Sequence, residues 1–139
     1  MLETALHHTF VGNASSSTLL IFLHQGLGSV AQWKEFPAKL CRDLDVAGLV
    51  YDRAGYGKSP GNLTQRTSAY LHQSGDELAE IVQQCAHQYA DIILYGHSDG
   101  GSIALIYASL YPTTIKAIIT EAAHVIVEDI TITGIKNAG

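Results

Sequence analysis

Short apolar runs that alternate with longer segments of helical period constrain this chain more than any other feature. Thr18-Leu-Leu-Ile-Phe-Leu23, Ala47-Gly-Leu-Val-Tyr51, Asp91-Ile-Ile-Leu-Tyr95 and Ile115-Lys-Ala-Ile-Ile-Thr120 are mostly apolar at both even and odd positions. A strand buried on both faces belongs in a parallel sheet covered by helices, and the alternation predicts βαβ units and the α/β class. Between the second and third runs, Leu71, Leu78, Val82, Cys85 and Tyr89 share one helical stripe, which predicts an amphipathic helix. A second helix is expected from about Ser98 to Tyr111; it is apolar nearly all round, should be buried, and is stopped by Pro112. Thr4 to Val11 reads as an opening strand, with Gly12-Asn13 and Ser15-Ser-Ser17 as the turn after it. No repeat, linker or boundary divides the chain, and its 139 residues make one domain able to bury roughly two thirds of its unfolded surface.

Composition narrows the function classes. With 47% apolar and 15% charged residues the chain is a globular protein with a buried sheet, not a disordered or coiled-coil segment. A net charge of -5, with no Lys/Arg cluster, excludes an electrostatic footprint for nucleic acid or anionic lipid. The apolar runs are far shorter than the ~20 residues that span a bilayer, so no membrane partner is expected. Cys41 and Cys85 each fall in a helix-like stretch and read as small apolar core residues rather than a bridge, which fits a reducing, cytoplasmic setting. The histidines show no ligand-type pairing, so neither a metal nor another cofactor is implied.

Gly96-His-Ser98-Asp-Gly100 matches G-x-S-x-G in an informative setting, since an apolar strand runs into it and a helix leaves from it. A serine there sits at a helix start, where backbone N–H groups and the positive dipole end favour a developing anion, and Asp99 can supply one such N–H. The pattern occurs twice, but in Gly57-Lys-Ser59-Pro-Gly61 the residue after the serine is Pro60, which has no N–H to lend, so Ser59 reads as a turn residue. Gly26-Leu-Gly28-Ser-Val-Ala31 matches a dinucleotide-binding G-x-G-x-x-A after the first clear strand. That reading needs a helix running unbroken from the second glycine, and Pro37 would lie inside it at a cost of roughly 3 kcal/mol.

Leu23-His-Gln-Gly-Leu-Gly-Ser29, Tyr51-Asp-Arg-Ala-Gly-Tyr-Gly-Lys-Ser59 and Tyr95-Gly-His-Ser-Asp-Gly-Gly101, taken in order and spacing, resemble the α/β-hydrolase fold family over residues 18–124. The resemblance implies a mostly parallel sheet with helices on both faces and a nucleophilic serine, Ser98, attacking the acyl carbonyl of a small-molecule substrate. It also implies a second oxyanion N–H from the loop after the first of these strands, mapping to Gly26, or to Gln25 or Leu27 in an adjacent register. Asp99 is similar to the acidic residue that meets a substrate amine in the branch of biphenyl-hydrolase-like proteins and valacyclovir hydrolase. Its bland alternative is a negative charge favouring the helix start.

The same family places an acid and then a histidine after later strands, and members are roughly twice this length. The chain is therefore expected to be an N-terminal half lacking the last strands and the cap, with residues 125–139 as the start of the cap region. The strand at 115–120 would then be an uncovered edge, inviting a homo-oligomer. A local base is conceivable: His124 lies just past that strand, and Glu121 would orient it toward Ser98. His24 and His97 read as packing or hydrogen-bonding residues, and Asp52 with Arg53 as holding the following turn. The functional expectation is a serine hydrolase working through an acyl-enzyme on Ser98. Its rivals are an inert fragment or interaction module of the same fold and, more distantly, the dinucleotide-binding domain.

Overall fold

The computed structural model describes residues 6–25, 30–53 and 70–122. Strands β1 (His8–Gly12), β2 (Thr18–Leu23), β3 (Ala47–Tyr51), β4 (Asp91–His97) and β5 (Ala117–Glu121) are interleaved with helices α1 (Val30–Trp33), α2 (Phe36–Leu44), α3 (Tyr70–Cys85) and α4 (Asp99–Leu110). Among the described residues the strand order is β1-β3-β2-β4-β5, with β1 antiparallel to β3 and the other pairs parallel. Parallel neighbours need crossover connections, and the helices provide them. The predicted α/β class is what forms.

Successive strand residues point to opposite faces, so the sheet has two distinct cores. Leu19, Ile21, Leu23, Leu49, Tyr51 and Leu94 face α3 and α4 and pack with Leu78, Ile81, Ile103 and Tyr107. Leu20, Phe22 and Val50 point the other way, onto Cys41 of α2 and a partly buried fringe that includes Val30, Trp33, Ile93 and Tyr95. Each fully buried side chain of this kind contributes about 1.5–3 kcal/mol of transfer free energy, so the first face holds most of the apolar stabilisation.

β2 and β3 begin and end where hydropathy placed them. β4 runs on to His97, because Gly96 finds a register partner in Leu23 and His97 one in Glu121. β5 starts later than expected: Lys116 still precedes it, with its N–H donated to the Ile92 carbonyl at 2.9 Å. α2 carries Pro37 in its first turn, where a missing N–H costs nothing, and closes on a left-handed Asp45 whose N–H reaches the Arg42 carbonyl. Leu78 and Val82 of the predicted stripe are buried on α3, while Tyr89 lies past its end yet packs on the same core. The side chain of Leu71 lies outside the described residues, as do residues 4 and 5 of the expected opening strand.

The expectation that α4 is buried all round needs correcting. Gly100 to Ala104 and Tyr107 are buried, but Leu105 and Leu110 stand 38% and 53% exposed. The helix is covered by the sheet and by α3. β5 ends the sheet with exposed residues at four of its five positions, so the expected edge strand is present among the described residues. Cys41 and Cys85 are both free, and burial pushes the Cys41 thiol up to about 11. No helix among the described residues is long and apolar enough to cross a membrane.

Candidate functional site

β4 delivers the chain to Ser98 and α4 carries it away from Asp99. Ser98 has φ 55° and ψ -116°, a combination that an L side chain adopts only where its surroundings impose it, at about 1–3 kcal/mol of strain. Those surroundings are explicit. The Ser98 N–H donates to the Glu121 carbonyl at 2.7 Å, and the Ser98 carbonyl accepts from the N–H groups of Gly101 and Ser102 at 2.9 and 3.2 Å. A Cβ on Gly96 would lie 2.5 Å from the Gly100 carbonyl carbon and from the Gly101 nitrogen. One on Gly100 would lie 2.6 Å from the Leu23 carbonyl carbon and 2.8 Å from the His24 oxygen. The flanking glycines thus let α4 settle against the end of β2, and the bend between them leaves the serine half-buried at the C-terminal edge of the sheet. Asp99 stands in the first turn of α4, at the positive end of its dipole.

Beside the bend, a buried polar knot holds the segment after β2. His24 is 2% exposed; its Nδ1 meets the Gln25 carbonyl at 2.7 Å and its Nε2 accepts the Arg53 N–H at 3.0 Å. That pairing requires the neutral tautomer with the proton on Nδ1. Burial, reinforced by the Arg53 charge, pushes the His24 pKa down to about 4. Arg53, 1% exposed, donates an Nη hydrogen to the same Gln25 carbonyl at 3.1 Å, while Asp52 accepts the Val30 N–H at 2.5 Å. Asp52 and Arg53 therefore tie down the β2 exit and the start of α1. The following turn that the sequence suggested they hold lies outside the described residues.

A cavity of about 320 Å³ opens at this end of the sheet, lined by His24, Gln25, Gln32, Trp33, Phe36, His97 and Glu121. Its apolar wall is an aromatic cluster. Trp33 and Phe36 stack at 6.1 Å and 16°, and both meet Phe22 and Tyr95 at centroid distances of 5.5–6.3 Å. Its polar wall is Glu121, which accepts the Tyr95 hydroxyl at 2.8 Å on Oε2 and lies 3.9 Å from His97 Nε2 through Oε1. Burial first, then the hydrogen bond and charge of Glu121, push the Tyr95 hydroxyl up to about 12.

The structure thus gathers Ser98, Asp99, Gln25 and Glu121 at one sheet end. Gly26, Leu27 and His124 lie outside the described residues, as do Ser59 and residues 125–139. Glu121, expected to orient His124, has its carboxylate beside Tyr95 and His97. The dinucleotide alternative fails on its helix. Ala31 belongs to a four-residue α1, Lys34 turns left-handed at φ 54°, and Pro37 sits in the first turn of a new helix. Sequence reasoning missed the aromatic wall. Trp33 and Phe36, three apart after the glycine-rich stretch, and Tyr95, two beyond Ile93 on β4, were its available signals.

Comparison with known proteins agrees with this fold. The chain is 34% identical over 99 residues to a protein of Pseudomonas savastanoi pv. phaseolicola named as a carbamate hydrolase, RutD, covering 70% of this chain and 36% of the relative. It is 32% identical over 111 residues to the proline iminopeptidase of Lactobacillus delbrueckii subsp. lactis, covering 78% and 37%. Among solved structures, a marine microorganism esterase superposes with a TM-score of 0.75 at 21% identity, over 97% of this chain and 49% of that one. The chain therefore spans little more than a third of these two curated relatives and about half of the matched structure. A family model described as alpha/beta hydrolase fold matches residues 18–133, and the chain belongs to that family.

Proposed function

We propose that this chain carries the nucleophile and oxyanion portion of a serine hydrolase that cleaves an ester, amide or related acyl bond through an acyl-enzyme on Ser98. The observation that carries the reading is the Ser98 backbone at φ 55°, ψ -116°, fixed between Gly96 and Gly100 at a strand-to-helix bend. In the proposed step the Ser98 oxygen bonds to the acyl carbon and the carbonyl oxygen takes up the negative charge. The Asp99 N–H and one from Gly26, Gln25 or Leu27 receive that oxyanion, an interaction worth about 3 kcal/mol per donor in such sites. The charge then returns and expels the leaving group, giving the acyl-enzyme that water later hydrolyses.

A base must take the Ser98 proton. His24 is held by hydrogen bonds at both ring nitrogens and is disfavoured as a cation, so it serves the loop rather than the chemistry. His97 stands beside Glu121 on the cavity wall. His124 is the local proposal, and the remainder of a family-length chain is the other source. We read residues 1–139 as a single, incomplete domain, with homo-oligomerisation through the exposed β5 edge as a further expectation. A fluorophosphonate probe tests the function. Labelling that disappears in Ser98→Ala is expected; a folded chain whose labelling is indifferent to that substitution leaves the inert module as the answer.

A further inference from the structure

We propose that Tyr95 is a positioning residue for Ser98, acting through Glu121: its hydroxyl fixes the carboxylate of the residue whose backbone carbonyl receives the Ser98 amide. The proposal deepens the hydrolase reading and rests on it for the chemistry, though not for the hold on Ser98. The acceptor is weakly secured by its own strand. Glu121 is the last residue of β5, which ends the sheet among the described residues with four of its five positions exposed, and Ala122 turns left-handed at φ 55° straight after it. Burial therefore does little to keep Glu121 in register, and exposed ends open first. The side chain supplies a further constraint. Glu121 stands opposite His97 in the parallel register, and so shares a face with Tyr95, two residues back along β4. Tyr95 donates its hydroxyl to Oε2 at 2.8 Å, a charge-assisted bond, whereas His97 Nε2, 3.9 Å from Oε1, is beyond hydrogen-bond reach. The donor is itself held in place. Its ring packs against Phe22, Trp33 and Phe36 at centroid distances of 5.5–6.0 Å, which fixes where the hydroxyl lies. Burial first, then Glu121, keep that hydroxyl protonated, with its pKa pushed up to about 12. Glu121 thus links the aromatic wall, through its carboxylate, to the serine amide, through its carbonyl at 2.7 Å.

Ser98 is read in two ways on the full chain: by the NMR shift of its amide proton, which needs no turnover, and by its fluorophosphonate labelling, resolved into probe affinity and maximal rate. Tyr95→Phe keeps the ring and its ring current, and should move the Ser98 amide proton upfield as its hydrogen bond lengthens. It should also lower the maximal labelling rate about fivefold with probe affinity unchanged, a modest loss because the Glu121 side chain is 57% exposed. Glu121→Ala should do the same, and the double variant no more than either, since both remove one link. Glu121→Gln keeps an oxygen for the Tyr95 hydroxyl and should recover most of what Glu121→Ala loses. An unmoved amide proton in Tyr95→Phe, or additive losses in the double variant, overturns the proposal. So does Glu121→Gln failing as badly as Glu121→Ala while Tyr95→Phe labels normally, which returns Glu121 to the role of orienting acid. A lowered melting temperature with the amide shift and labelling of the folded protein intact also overturns it, leaving Tyr95 as packing alone. Wild-type protein never labelled at Ser98 removes the hydrolase reading, and an amide proton moved by Tyr95→Phe then still supports the link.

Discussion

The two faces of the sheet are filled to different degrees. On the α3/α4 side, Leu19, Ile21, Leu23, Leu49, Leu94 and Ile103 are all 0% exposed. On the α1/α2 side, the buried apolar cluster among the described residues is smaller, Leu20, Phe22, Cys41 and Val50, and Phe36 and Ile119 remain 42% and 43% exposed. The closed face supplies the apolar stabilisation; the open one has room for a cavity whose walls are aromatic and carboxylate. Close packing and an open cavity lie on opposite surfaces of the same strands, so a residue and its neighbour along β4 have different surroundings.

The division breaks if truncation costs the same on both sides. Leu94→Ala should destabilise by about 3 to 4 kcal/mol, and Phe36→Ala, already half in water, by only about 1 kcal/mol. Urea unfolding of the two variants measures the contrast, and equal losses would refute it. The polar knot at the sheet's end sharpens the comparison through pH. Unfolded His24 takes up a proton near pH 6.5 and folded His24 only near 4, so between those values the unfolded chain binds more protons and acid favours unfolding. The contribution is complete above 6.5, is lost as the pH falls to 4 and changes no further below, about 3 kcal/mol in all. His24→Asn should be less stable at neutral pH yet show a flatter profile across that window in melts run from pH 7 to pH 4; an unchanged slope would acquit His24. The smallest effect belongs to the rim. Lys116 meets Asp91 at 3.3 Å with side chains 62% and 37% exposed, and Lys116→Ala should shift stability by no more than about 0.5 kcal/mol.

What could be read beforehand follows the same split. β2, β3 and the bend at Ser98 announce themselves because their signals are local: continuous apolar runs, and two glycines bracketing a serine between strand and helix. The cavity is not local. Trp33 reaches Tyr95 across 62 positions, and Glu121 reaches His97 only through a parallel register that no periodicity encodes. The left-handed turn at Lys34, which separates α1 from α2 within the stretch carrying Trp33 and Phe36, has no glycine to mark it. His24 was readable as structural only through the family resemblance, because its partners at Gln25 and Arg53 come from the fold.

The 2.7 Å hydrogen bond from the Ser98 amide to the Glu121 carbonyl makes the outermost strand a brace for the serine. Deuterium reaches that amide only when β5 lifts away, so the exchange rate at residue 98 is a clock for detachment of the sheet's rim. The aim of the serine hydroxyl lasts as long as that strand stays seated.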